Sequence, residues 1–360
     1  MFFKKFLLLA LALPSVLIEA QRMTLADDTD ISGAEGPSVF SISNQLEWDE
    51  LIEEPISSGA ELLVLRRVGE ELRPVEGLRF TRLTTQQSFV TDAQGRIRLS
   101  LCMDGDIIEL RAELKEENYF QIQNDSDLYS LKVRVDCRQR VTGILKEDTA
   151  AGQALGIWQV AYQAKTRLRD TVGLDFWTFP LSFHFPASGD YYSHNGNLHI
   201  SRGDHWDVVA HEMGHAIYDL ANIGAWGGGQ HYIDRCYSFA MALSEGWASY
   251  FASFVMNDRS DPDAKFEFMV PRRAPIQIEN VPEDVCREPT NEWRVTSFLW
   301  DLYDLNTDDE TADFVFAEVW SQTLNGGFAS VVKLKEKLLE SKLDETLVEA
   351  AWQKNFGPTP

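Results

Sequence analysis

The chain has 360 residues, with 33 Lys and Arg against 56 Asp and Glu and a formal net charge of −23. That balance argues against nucleic acid and anionic membrane surfaces as partners. The length suits two domains, and beyond the N-terminus no segment reaches the ~18 uninterrupted apolar residues that a membrane span needs.

The first element is a secretory signal. Lys4 and Lys5 form a charged start, and residues 6–18 are an apolar stretch interrupted by Pro14 and too short to span a bilayer. Cleavage is expected after Ala20, or as late as Ala26, and an uncleaved anchor is the alternative. After cleavage no stable membrane insertion is expected, and the protein is secreted, whether periplasmic or extracellular. Four cysteines agree with an oxidising compartment. Three pairings are possible in principle. The spread favours one bridge in each half of the chain, Cys102 with Cys137 and Cys236 with Cys286.

Residues 27–36 are acidic, contain Gly and have no periodicity, which reads as a linker. Over residues 37–141 the pattern becomes short alternating runs, at 61–65, 78–83, 97–101, 107–111 and 129–135, separated by turns such as Asp92-Ala93-Gln94-Gly95. Period-2 alternation marks half-buried strands, and regular spacing predicts a small β-sandwich. Pro74-Val75-Glu76-Gly77 and Thr91 to Arg96 resemble the transthyretin-like or carboxypeptidase-regulatory-like domains appended to secreted peptidases. The resemblance implies an accessory role, although an inhibitory prodomain is also open.

Residues 150–357 read as mainly helical, which makes the whole chain α+β. Helices are expected at 151–172, 205–221, 238–256, 291–303, 311–324, 329–341 and 344–355, with strands at 181–185 and 197–201. Asp204 is a plausible N-cap for the second helix. His184, His194 and His199 fall in or beside these strands and read as strand or rim residues rather than ligands. The acidic turn 304–310 begins like a calcium loop. Asp309 stands where an EF-hand has Gly and Val315 where it has Glu, so it fails that template. A solvated turn is the reading, with an irregular Ca2+ site as the alternative.

Within the second helix lies His211-Glu212-Met213-Gly214-His215. Residues i and i+4 share a helix face, so both imidazoles can direct a nitrogen at one point about 2 Å away, the usual zinc to nitrogen distance. Glu212 points to the side of that axis, within reach of a water. Chance alone yields such a pattern on the order of 0.01 times in a chain of this composition. A catalytic zinc usually takes a third protein ligand. Glu245 is the acidic residue inside the next apolar segment, where burial without a partner is costly; His205 and His231 are the other possible ligands. His205 reads as a first-turn residue exposed to water.

His-Glu-Met-Gly-His followed by Ser244-Glu245-Gly246-Trp247-Ala248 resembles the gluzincin metallopeptidases, the fungalysin and thermolysin branches above all. In fungalysins the second helix carries Glu-Gly-Trp-Ser-Asp, and the segment from Glu292-Trp293 to Tyr303 is similar to a later helix of that family. The resemblance spans residues 150–357. It implies His211, His215 and Glu245 as ligands of one Zn2+ and Glu212 as general base toward a metal-activated water. It also implies a peptide or protein substrate.

The chain departs from that pattern twice. Those families often have an Asp four residues after the ligand Glu, to orient a ligand His, and here that position is Ser249. Asp219 is the nearest candidate for the task. No His follows His231, so the oxyanion-stabilising group is open among Tyr250, Tyr303, Arg294 and His231. The leading reading is a secreted zinc endopeptidase. An aminopeptidase of the same class is the alternative, as is a non-catalytic secreted zinc-binding or adhesion protein.

Overall fold

The structure is a computed structural model that describes residues 44–100, 102–305 and 313–357. The expected signal segment and linker lie outside the described residues, as does most of the acidic turn 304–310. The fold is mixed α+β, and among the described residues every helix lies after residue 149.

Two sheets carry the alternating N-terminal pattern. One has the order Gln45–Leu46, Ser130–Asp136, Ile107–Glu113, Arg79–Arg82, Ser88–Val90. Its register pairs Leu131 with Ala112 and Val133 with Leu110, so the buried side chains share one face while Lys132 and Arg134 face water. The other has the order Glu50–Pro55, Gln139–Lys146, Ala60–Val68, Glu71–Pro74, with Arg96–Leu99 also on Ala60–Val68. Leu62 and Val64 from this sheet meet the first sheet's apolar face in one core. Gln139–Lys146 gives no alternating signal at its end and runs beyond residue 141. It is nevertheless an interior strand, parallel to Ala60–Val68. The bridge Cys102–Cys137 closes this half.

A third sheet links the two halves. Phe120–Asn124 pairs in parallel with Leu181–His184, Phe120 opposite Leu181 and Ile122 opposite Phe183. Asn197–His199 follows in parallel, and Tyr191–Ser193 forms the edge, antiparallel to it. The expected strand over 197–201 is therefore interior, and the free edge belongs to a three-residue strand that its short length hides in the sequence.

The helices are α1 (Ala150–Thr171), α2 (Trp206–Leu220), α3 (Phe239–Met256), α4 (Glu292–Asp301), α5 (Phe316–Thr323), α6 (Val331–Glu340) and α7 (Glu345–Phe356). Polar residues start several of them. Thr149, Ser238, Asn291, Ser330 and Asp344 each accept a backbone N–H of the first turn, which satisfies a group the helix leaves unpaired. The expected cap Asp204 does not serve α2. Its carboxylate is taken by Arg202, and His205 is the N-cap with no side-chain cap bond. Half-buried, His205 stacks on Phe268 rather than standing in water. α5 begins at Phe316, later than expected.

α3 is buried from Met241 to Val255. A helix apolar on all sides belongs inside a domain, and α3 packs between α2 and α4. The second bridge, Cys236–Cys286, ties the approach to α3 to the segment before α4. Among the described residues, no helix is long and apolar enough to cross a membrane.

Candidate metal centre

The site depends on two close helix crossings. A Cβ at Gly214 of α2 would lie 2.6 Å from the Ala248 carbonyl oxygen of α3, and one at Gly246 would lie 2.5 Å from Val295 Cβ and 2.8 Å from the Glu292 carbonyl oxygen of α4. Any side chain at either position would push the helices apart. Glycine lets α3 come close enough to set Glu245 against the imidazoles of α2.

There the donors converge. Glu245 Oε2 lies 3.2 Å from His211 Nε2 and 3.1 Å from His215 Nε2. All three side chains are buried, and their ligand atoms lie within 4.8 Å of one another. Two imidazoles and a carboxylate are the donor set of an open, catalytic zinc site, so these residues can hold a metal ion. Burial pushes the His211 pKa down to about 4, despite the opposing Glu245 charge. Its ring is therefore neutral, the form that ligates a metal.

Glu212 is buried next to this cluster, and its Oε1 has no hydrogen-bond partner. Burial, and then the charges of Asp190 and Glu245, raise its carboxyl well above the usual range. The backbone N–H of Tyr192 on the edge strand offsets this in part. Asp190, just ahead of that strand, is itself held by the Ser201 backbone N–H and hydroxyl at 2.7 and 2.6 Å. Trp226 walls the site, its ring against His215, Tyr192 and Tyr218.

Ser249 supplies the orienting bond. Its Oγ lies 3.0 Å from His211 Nδ1, at the position where the resembling peptidases often have Asp. Asp219 takes no part, because its Oδ2 accepts the Tyr192 hydroxyl at 2.7 Å. His215 Nδ1 is buried without a hydrogen-bond partner.

Of the four side chains left open for the oxyanion, only His231 reaches the site. Arg294 is spent on the backbone carbonyls of Cys286, Val285 and Asn355. Tyr250 and Tyr303 pack against Phe316 and each other at the far end of α3. His231 Nε2 lies 3.0 Å from Glu292 Oε2. Burial disfavours its charged form, but Glu292 and Glu245 outweigh that and raise its pKa to about 10.

Residues 181–343 match the family model of the mycolysin C-terminal domain. That match encloses every residue of the cluster, and it gives this part of the chain a peptidase-family context. No curated protein matches the chain. Among solved structures, it is similar to GBS52, the minor pilin of the gram-positive pathogen Streptococcus agalactiae, at 21% identity and a TM-score of 0.17. The likeness covers 26% of this chain and 44% of the pilin, so the chain spans less than half of that protein.

Two side chains at the centre went unassigned from sequence. In the sequence Glu292 is only part of a family-like segment, since nothing in its local pattern tells that α4 brings it to His231. Tyr192 belongs to the edge strand, and the Asn195-Gly196 dipeptide that follows is a hairpin signal that could have revealed it.

Proposed function

We propose that the protein is a secreted zinc-dependent peptidase in which His211, His215 and Glu245 hold the metal and Glu212 is the general base. The observation that carries this reading is the convergence of three buried donors on one point, with the unpartnered Oε1 of Glu212 beside them. A zinc ion held there supplies a Lewis acid that polarises the scissile carbonyl and acidifies water.

The chain's own residues do the rest. Glu212 accepts a proton from the attacking water and returns it to the leaving amine. Its burial raises its affinity for that proton in the first step, and the leaving amine, more basic than any carboxylate, takes the proton in the second. Ser249 fixes the ring of His211. The free edge of Tyr191–Ser193 offers backbone groups to an extended peptide, and Trp226 shields the centre from bulk water.

The test is chelator-sensitive cleavage of a denatured protein substrate together with metal analysis. Glu212→Gln should retain zinc and lose hydrolysis by at least 10²-fold, the lower end of a general base's contribution. Full activity in that variant, or bound zinc with no cleavage across a broad peptide library, would overturn the reading.

A further inference from the structure

We propose that the protein binds a second divalent cation on His231, Glu292 and Glu245, so that Glu245 is shared between two metal sites. This rests on the reading of His211, His215 and Glu245 as the first site.

The argument begins with the tautomer of His231. Its Nδ1 lies 2.9 Å from the Gly229 carbonyl oxygen. A carbonyl only accepts, so Nδ1 carries the proton, and in the neutral ring Nε2 is left with the lone pair. Metal-bound histidines show this arrangement, with the far nitrogen donating to a backbone carbonyl or carboxylate.

His231 Nε2 is buried and has no hydrogen-bond partner. Its nearest carboxylate oxygen, Glu292 Oε2, lies 3.0 Å away as an ion pair rather than an aligned hydrogen bond. A carboxylate oxygen of Glu245 completes the group, with all three ligand atoms within 4.8 Å. Among the described residues the ion pairs of Glu245 and Glu292 run to histidines alone, with no Lys or Arg. Two buried carboxylates need a cation between them. A proton on His231 supplies it when no metal is bound, and the convergence of the three ligand atoms lets a metal ion take that proton's place. One imidazole with two carboxylates suits Zn2+ or Mn2+.

Zinc titrated into metal-free full-length protein, counted by elemental analysis and calorimetry, tests the proposal. Two zinc ions per chain are expected, falling to one in Glu292→Gln and in His231→Ala. With cobalt(II) in place of zinc, the two ions should show spin coupling that both variants abolish. One zinc per chain in the unaltered protein overturns the second site and leaves the first standing, whereas no zinc overturns both. Two ions that persist in both variants also overturn it. Because the unaltered protein's count decides by itself, a variant that fails to fold does not rescue the proposal.

Discussion

Ser249 is the residue at which this centre departs most informatively from the pattern it resembles. A hydroxyl can fix the orientation of His211 through a 3.0 Å bond, but it brings no negative charge to strengthen the ring as a donor. Outer partners of this type are typically worth 10–100-fold in metal affinity. Ser249→Ala should therefore weaken zinc binding by about 10-fold, the lower end of that range, measured by competition with a chromogenic chelator. Folding stability should fall by only about 1 kcal/mol, the usual net value of one hydrogen bond. Unchanged zinc affinity would mean that packing, not Ser249, orients His211. Much at this scale was legible beforehand. The spacing of His211 and His215 and the lone carboxylate in an apolar run mark residues that the fold does bring together. The partner of His211 was not legible, because a serine in a helix carries no signal of what its hydroxyl faces. Asp219 looked suitable by spacing and is engaged by Tyr192 instead.

At the scale of elements, the centre depends on how closely α2, α3 and α4 approach. Gly214→Ala would place a methyl 2.6 Å from the Ala248 carbonyl oxygen and 2.8 Å from its Cα. Backbone atoms cannot swing aside as a flexible side chain can, so the helices must separate. Overpacking costs about 1–3 kcal/mol, larger than the ~1 kcal/mol that Ala gains over Gly in helix propensity. Gly214→Ala should lower the melting temperature, and because the shift moves Glu245 away from both imidazoles, zinc affinity should fall with it. A variant as stable as the parent would show that the crossing has slack. The helices were readable because their signal, apolar periodicity, is local. Tyr191–Ser193 was not, since three residues are too few to show a period. Phe120–Asn124 was not either, because its partner Leu181–His184 is far along the chain, and pairing at such a distance leaves no trace in either segment alone.

For the whole molecule, the shared sheet bears on what the N-terminal half does. An inhibitory prodomain must leave without unfolding what it inhibits. Here Phe120 and Ile122 are fully buried, with Phe120 against Trp158 of α1 at a centroid distance of 5.1 Å. Lys165 of α1 pairs with Glu116, both buried. Arg66 donates to the Gly152 carbonyl at 2.8 Å. Losing the burial of Phe120 and Ile122 alone would cost about 3–6 kcal/mol at ~1.5–3 kcal/mol each, a large share of a typical net stability of ~5–15 kcal/mol. It would also leave the parallel edge of Leu181–His184 open to water. The intact protein should therefore unfold in one transition, with tryptophan fluorescence and far-ultraviolet circular dichroism coinciding. A chain starting at residue 147 should be insoluble or lack fixed tertiary structure. If that shortened chain instead folds, binds zinc and cleaves peptide faster than the intact protein, the N-terminal half is a removable inhibitor, and the shared sheet is dispensable to the peptidase half.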